Sequence, residues 1–239
     1  MNNKRIAEAI ILGAFLCLGL IVLGYLISSS VIGIKALDRT VTVKGLSERE
    51  VPANRAIWPI KFSEADNDLS HLYSVIQQKT ELIIAFLKKN GFEENEISIL
   101  APAILDRQAQ GYVDLDKVKF RYTASSTITV YTTKVDSIRE TMKKLVELGK
   151  QGIAIGGQDY QTRTEYLFTE LNRIKPEMIE AATKKAREVA EKFAKDSNSR
   201  LGKIKRARQG QFSITNRDSN TPYTKKVRVV STLEYYLSD

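Results

Sequence analysis

Ala56-Ile57-Trp58-Pro59-Ile60-Lys61-Phe62 is an apolar, aromatic run, and the apolar residues that follow it, Leu69, Leu72, Ile76, Ile83 and Leu87, recur at helical spacing. A strand therefore runs into an amphipathic helix, which Asp66 or Asp68 can cap and Asn90-Gly91 ends. One face of this helix is expected on a sheet and the other in water. Pro59 lacks an N–H, which argues for an edge position or a bulge. Trp58, the single tryptophan, reads as a core or interface filler, and His71, the single histidine, as a surface residue.

The same alternation of strand and helix continues on either side. Upstream, Thr40-Val41-Thr42-Val43-Lys44-Gly45 reads as a strand that stops at a turn. Downstream, Ile97 to Leu105 and Phe120 to Tyr131 read as strands joined by the polar segment Asp106 to Lys119. Val135, Ile138, Met142, Leu145 and Val146 mark a shorter helix ending near Gly149. Gly152, Gly156 and Gly157 carry no phosphate-loop or dinucleotide pattern and read as turns. Tyr160 to Thr169 is expected as a strand. Asn172, with Pro176 in the first turn, opens the longest helix, whose buried face is expected to be Ile174, Met178, Ala182, Ala186, Val189 and Phe193. Lys203 to Phe212 and Lys226 to Leu237 supply two last strands around a polar loop, Thr215 to Thr224.

The fold class expected is α+β: antiparallel sheet with two long packed helices, Asp68 to Asn90 and Pro176 to Asn198, and one shorter helix. The chain also echoes itself. Phe62-Ser63-Glu64 precedes the first long helix and Phe168-Thr169-Glu170 the last, Phe86 and Phe193 sit late in them, and Ile97 and Ile204 follow, which suggests a pseudo-duplication.

Before all of this, no charged residue occurs between Glu8 and Lys35, and Ala9 to Ile27 is continuously apolar. At about 1.5 Å of rise per residue such a run is long enough for a hydrocarbon core of about 30 Å. Lys4 and Arg5 on the short side place the N-terminus in the cytoplasm and the bulk of the chain outside it, in the manner of a single-pass inner-membrane protein. A cleavable signal peptide ending near Ser28-Ser29-Ser30 is the competing reading; the run is longer than the usual h-region of about 7–15 residues, which favours a retained anchor. The expected division is residues 1–36 as cytoplasmic stub, transmembrane signal-anchor and neck, and residues 37–239 as the exported α+β part, periplasmic or extracellular. On a helical wheel Ala9, Gly13, Cys17, Gly24 and Ser28 form a seam of small side chains along which membrane helices can pack closely. Small residues are also simply frequent in membrane helices.

The length suits an anchor plus one domain or two small halves. Cys17 is the only cysteine and lies within the apolar run, so no disulfide closes in the exported part and no Cys-based metal site is available there. No lipidation pattern precedes it. The net charge of +9 is concentrated: between Lys184 and Arg208 ten basic residues face Glu188, Glu191 and Asp196. Lys203, Lys205 and Arg208, with Arg206 between them, read as a phosphate-binding strip; the alternative is a solvated helix face and strand edge. On the far side of the membrane the polyanions within reach are anionic lipids and envelope polymers, not nucleic acid.

Thr40-Val41-Thr42-Val43-Lys44-Gly45, then Pro52-Ala53-Asn54-Arg55-Ala56-Ile57-Trp58, then the charged, alanine-rich Ala181 to Phe193 running into Leu201-Gly202-Lys203-Ile204, resemble the SIMPL-domain family of bacterial envelope proteins, which includes an immunogenic periplasmic protein of Brucella. The resemblance spans about Leu37 to Leu237. Family members often carry Pro-Asp where this chain has Pro52-Ala53. The resemblance implies an α+β domain, export, ring-like or channel-like homo-oligomers and a link to oxidative or envelope stress defence, with no established enzyme activity.

Three functions compete. A membrane-anchored, self-assembling envelope protein agrees with the anchor and the resemblance, and a binding module for anionic lipid or envelope polymer agrees with the basic strip. A hydrolase finds less support: there is no HExxH, Walker loop or Gly-x-Ser-x-Gly elbow, and no catalytic, metal or cofactor residues are assigned. The adjacent acids Asp66 with Asp68, and Glu93 with Glu94 and Glu96, read as caps and solvated surface.

Overall fold

The computed structural model describes residues 8, 13–28, 39–109, 119–156 and 162–238. In chain order these form α1 (residues 13–28), β1 (Thr40–Pro52), β2 (Arg55–Asp66), α2 (Leu69–Lys89), β3 (Ile97–Ile99), β4 (Ala103–Asp106), β5 (Tyr122–Thr132), α3 (Val135–Lys143), α4 (Val146–Lys150), β6 (Glu165–Leu167), α5 (Leu171–Asp196), β7 (Arg200–Gln209), β8 (Ser213–Asn216) and β9 (Thr224–Ser238). The chain divides into two compact units. The first comprises Met1–Glu48, Lys175–Ser213 and Arg228–Asp239; the second comprises Arg49–Ile174 and Ile214–Val227.

The second unit is built on the pairing of β2 with β5, antiparallel and unbroken from Ala56↔Thr132 to Asp66↔Tyr122. Because side chains alternate across a strand, Ala56, Trp58, Ile60 and Phe62 all fall on one face and are buried, as are Ala124, Ile128 and Val130 opposite them. Leu72, Ile76, Ile83, Phe86 and Leu87 of α2 join the same core, together with Ile138, Leu148 and Ile153. Each such side chain contributes about 1.5–3 kcal/mol by leaving water. Asp68 caps α2 by accepting the His71 N–H at 2.9 Å. At the other end Asn90 closes the helix, and Gly91 takes the positive φ of 90° that lets the chain turn away.

Several expectations shift here. Leu69 is 39% exposed, and Phe86 takes its place on the buried face. The strand expected from Ile97 to Leu105 breaks around Pro102 into β3 and β4, both still paired with β5; proline has no N–H for the ladder. The shorter helix is two short ones, α3 and α4, with Val146 exposed and Leu148 buried instead. The strand expected from Tyr160 is β6 alone, and residues 157–161 lie outside the described residues. Pro59 sits in a strand that is central by order, β3-β5-β2-β6. On its outer side, among the described residues, β6 pairs with Arg55 to Ile57 and the next contact is the Phe62↔Ile155 bridge, so no ladder partner is described for Pro59 there.

The other sheet, which carries the strands of the first unit, has the order β1-β9-β7, and β8 also pairs with β9. One face carries α5. Its buried row is Ile174, Met178, Ala182, Ala186, Ala190 and Ala194, a strict i, i+4 ridge. Val189 and Phe193, expected in that face, are 38% and 55% exposed. The reason lies in β1, where a Cβ on Gly45 would stand 1.8 Å from the Ala182 carbonyl oxygen and 2.6 Å from the Ala186 nitrogen. Backbone meets backbone there, so alanine fits where valine and phenylalanine do not. Gly45 accordingly ends nothing: β1 runs on to Pro52.

The two sheets share a strand order, though not the repeat units expected from the sequence. In the second unit the strand after the helix lies beside the last strand, which lies beside the first (β3-β5-β2); in the first unit β7-β9-β1 repeats that order around α5. The residue landmarks do not hold equally well, since Phe86 is buried and Phe193 exposed, and the place of β2 is taken by β1, not by the segment just before α5. Among the described residues no helix is long and apolar enough to cross a membrane. Residues 9–12 of the expected crossing run lie outside them, and in α1 Phe15, Leu16, Ile21, Leu23 and Leu26 are all more than half exposed.

Candidate anion-binding edge

Lys203, Lys205, Arg206 and Arg208 all fall on β7. This strand ends the sheet, and of its ten residues only Leu201 is not exposed. At about 3.3 Å per residue the four cations span about 17 Å. Between Leu201 and Arg206 the register with β9 shifts twice, and Gly202 lies so close to Tyr236 that a Cβ would be 3.0 Å from its carbonyl oxygen. The irregularity turns the side chains of this strand off a simple alternation.

Arg206 and Arg208 share a shallow hollow of about 210 Å³ with Thr42 of β1 and Thr232 and Glu234 of β9. The hollow lies on the face of the sheet opposite α5, because Leu233 and Tyr235, the alternate residues of β9, pack into the core with Ala186 and Ala190. Lys205 Nζ lies 3.6 Å from Glu234 Oε1 and 5.5 Å from the centre of the Tyr236 ring. Glu234 is thus an acid set against this strip, and no ion pair is made by Lys203, Arg206 or Arg208 among the described residues. Three cations therefore stay available to an outside anion, and two of them, Arg206 and Arg208, have Thr42 and Thr232 beside them. Thr42, Thr232 and Glu234 carry no sequence signal for this role; only the pairing of distant strands brings them to Arg206.

The seam residues stand differently. Ala9 lies outside the described residues. A Cβ added at Gly13 or Gly24 would meet nothing within 4 Å, and Cys17 is exposed. These small residues therefore serve no packing among the described residues.

The acids weighed for catalysis all have structural partners. Asp68 caps α2, and Asp66 accepts the backbone N–H groups of Asn67 and Asp68 and faces His71 Nδ1 at 2.5 Å. Those hydrogen bonds, first the Asp68 N–H and then His71, hold the Asp66 carboxyl below its ordinary pKa, while Asp66 raises that of His71. Glu93 and Glu96 cap the turn at Glu94–Glu96 and share Lys134, at 3.1 and 3.0 Å, and Glu94 pairs with Lys88 at 2.9 Å. His71 side-chain exposure is 66%, as expected for a surface histidine. Among the described residues no group of three or more His, Cys, Asp or Glu is arranged to hold a metal ion.

Comparison with known proteins adds one finding to this geometry. No curated protein matches the chain. Residues 41–232, β1 through most of β9, match the model of the SIMPL family, described as "Protein of unknown function (DUF541)", and the chain belongs to that family.

Proposed function

We propose that this chain is a membrane-tethered SIMPL-family protein of the cell envelope that assembles with copies of itself and engages anionic surfaces, lipid headgroups or envelope polymer, through β7. The observation that carries the reading is the exposed strand β7 at the end of its sheet, along which four cations lie, with Glu234 paired to Lys205 and lining the hollow of Arg206 and Arg208. A basic edge strand resists pairing with another strand, since like charges would be brought together. That protection makes β7 a docking strip for polyanions and directs self-assembly elsewhere, for which the seam of Gly13, Cys17, Gly24 and Ser28 in α1 is the surface we favour. Support for the tether is the exposure of large apolar side chains along α1 on every side but the seam, the arrangement of a helix covered by lipid. The bulk of the chain then lies on the far side of the membrane from Lys4 and Arg5. Its role there is scaffolding or stress protection, not chemistry, in keeping with the partners found for Asp66, Asp68, Glu93, Glu94 and Glu96.

The test is flotation of the full-length chain, held in neutral nanodiscs, with vesicles containing phosphatidylglycerol. Binding is expected at low salt, and it is expected to fall steeply with added salt. Reversal of Lys203, Lys205, Arg206 and Arg208 to glutamate should abolish it without unfolding the domain, because exposed charges contribute little to stability. Indifference of the wild type to anionic vesicles at low salt rules the reading out.

A further inference from the structure

A second basic feature belongs to the second unit and is of a different kind. Lys225, at the start of β9, is only 8% exposed. Its ammonium donates to the Asn216 side-chain oxygen, a neutral acceptor, and makes no ion pair among the described residues. An ammonium has three N–H groups to place, and a charge taken out of water without a counter-charge is costly. Burial accordingly pushes the Lys225 pKa below its ordinary value, Glu165 opposing the shift and Arg163 adding to it.

Two further deficits lie at the same place. Thr164 is 6% exposed, and its hydroxyl oxygen is buried without a hydrogen-bond partner among the described residues. Arg163 is exposed and has no acid paired with it among the described residues. Arg163, Thr164, Glu165, Tyr166, Asn216 and Lys225 line one cavity of about 340 Å³. A neighbouring cavity of about 440 Å³ shares Arg163, Thr164 and Tyr166 with it. Volumes of this order suit a small ligand.

We infer that this cavity is a binding site for one small oxyanion group, a phosphate or a carboxylate. Such a group supplies the missing counter-charge to Lys225, a bidentate partner to the Arg163 guanidinium and an acceptor for the Thr164 hydroxyl, so that one ligand answers all three deficits. Glu165 lines the same cavity and limits the charge it can hold. With two cations against one carboxylate, the site favours a singly charged group. It is separate from the β7 strip and does not depend on that reading.

The experiment is calorimetric titration of inorganic phosphate and of acetate into the full-length chain in neutral detergent. Saturable binding of at least one of them is expected. Lys225→Met and Arg163→Gln should each weaken it at least tenfold, Glu165→Gln should tighten it, and charge reversal at Lys203, Lys205, Arg206 and Arg208 should leave it unchanged. Lys225→Met should also unfold no earlier than wild type without the anion, because it removes a buried charge that makes no ion pair among the described residues. If that variant does not fold, Arg163→Gln, at an exposed position, decides. Competition separates the two sources of a phosphate group: displacement of bound inorganic phosphate by nanodiscs containing phosphatidylglycerol identifies a lipid headgroup, and its persistence a free anion. No saturation by either anion, or equal binding by wild type and Arg163→Gln, overturns the inference.

Discussion

Gly45→Ala is the substitution on which the packing account is most exposed. A Cβ at this position lies 1.8 Å from the Ala182 carbonyl oxygen and 2.6 Å from the Ala186 nitrogen, and both atoms are backbone of α5, so no rotamer change relieves the contact. To reach ordinary van der Waals separation β1 and α5 must part by about 1.5 Å, which loosens Val43, Ala186, Ala190, Leu233 and Tyr235 together. Overpacking a core usually costs about 1–3 kcal/mol, and with rigid backbone on both sides the upper end, about 3 kcal/mol, is expected. Urea unfolding followed by circular dichroism reads this directly. Gly149→Ala is the control: its Cβ would meet nothing within 4 Å, and a change within about 0.5 kcal/mol is expected. Ala182→Gly should not rescue Gly45→Ala, because the obstructing atom is the backbone oxygen and not the alanine methyl. Equal stability of Gly45→Ala and wild type, or rescue by Ala182→Gly, would refute the close approach of β1 to α5.

Three other outcomes are expected, the first from the proposed assembly and the other two from the structure. Mild oxidation of native membranes should link Cys17 to Cys17 between chains, and Gly13→Leu should abolish the link by holding the helices apart; absence of any link in wild type removes the seam as the assembly contact. The His71 imidazole should titrate above 6.5 by NMR, and Asp66→Asn should return it towards that value. The contribution of His71 is full below its ordinary pKa and lost as pH rises through the raised one, whereas that of Asp66 is present above 3.8 and lost as pH falls through its lowered value, so the pair is fully formed between. Asp68→Ala should cost about 1 kcal/mol through loss of the α2 cap, and a neutral result in urea unfolding would contradict the cap.

What was legible in the sequence is what local periodicity encodes. The alternation of Ala56, Trp58, Ile60 and Phe62 and the helical stripe from Leu72 to Leu87 give the second unit its core almost residue for residue. Periodicity failed where tertiary approach sets the rule. In α5 the eye follows Val189 and Phe193, yet the buried row is alanine, since the fit is decided by Gly45, which sits far away in sequence and reads locally as a turn. The polar stretch from Thr215 likewise hides the end of β8, a strand exposed at every residue and paired with β9. For the candidate site, the four cations were visible as a cluster and did fall on one strand. Their cross-strand neighbours Thr42, Thr232 and Glu234 were not, because strand order is a long-range property. Lys225 was invisible for a related reason: in sequence it is one of two adjacent lysines, Lys225 and Lys226, and only the fold distinguishes the buried one.

The claim that β7 docks on an anionic surface is tested most directly by amide hydrogen exchange of the full-length chain with and without phosphatidylglycerol vesicles. Slower exchange confined to Lys203–Arg208, absent with neutral vesicles and removed by salt, is the result expected. Unchanged exchange in this strand while the protein is bound, or protection that falls on another element, would contradict it.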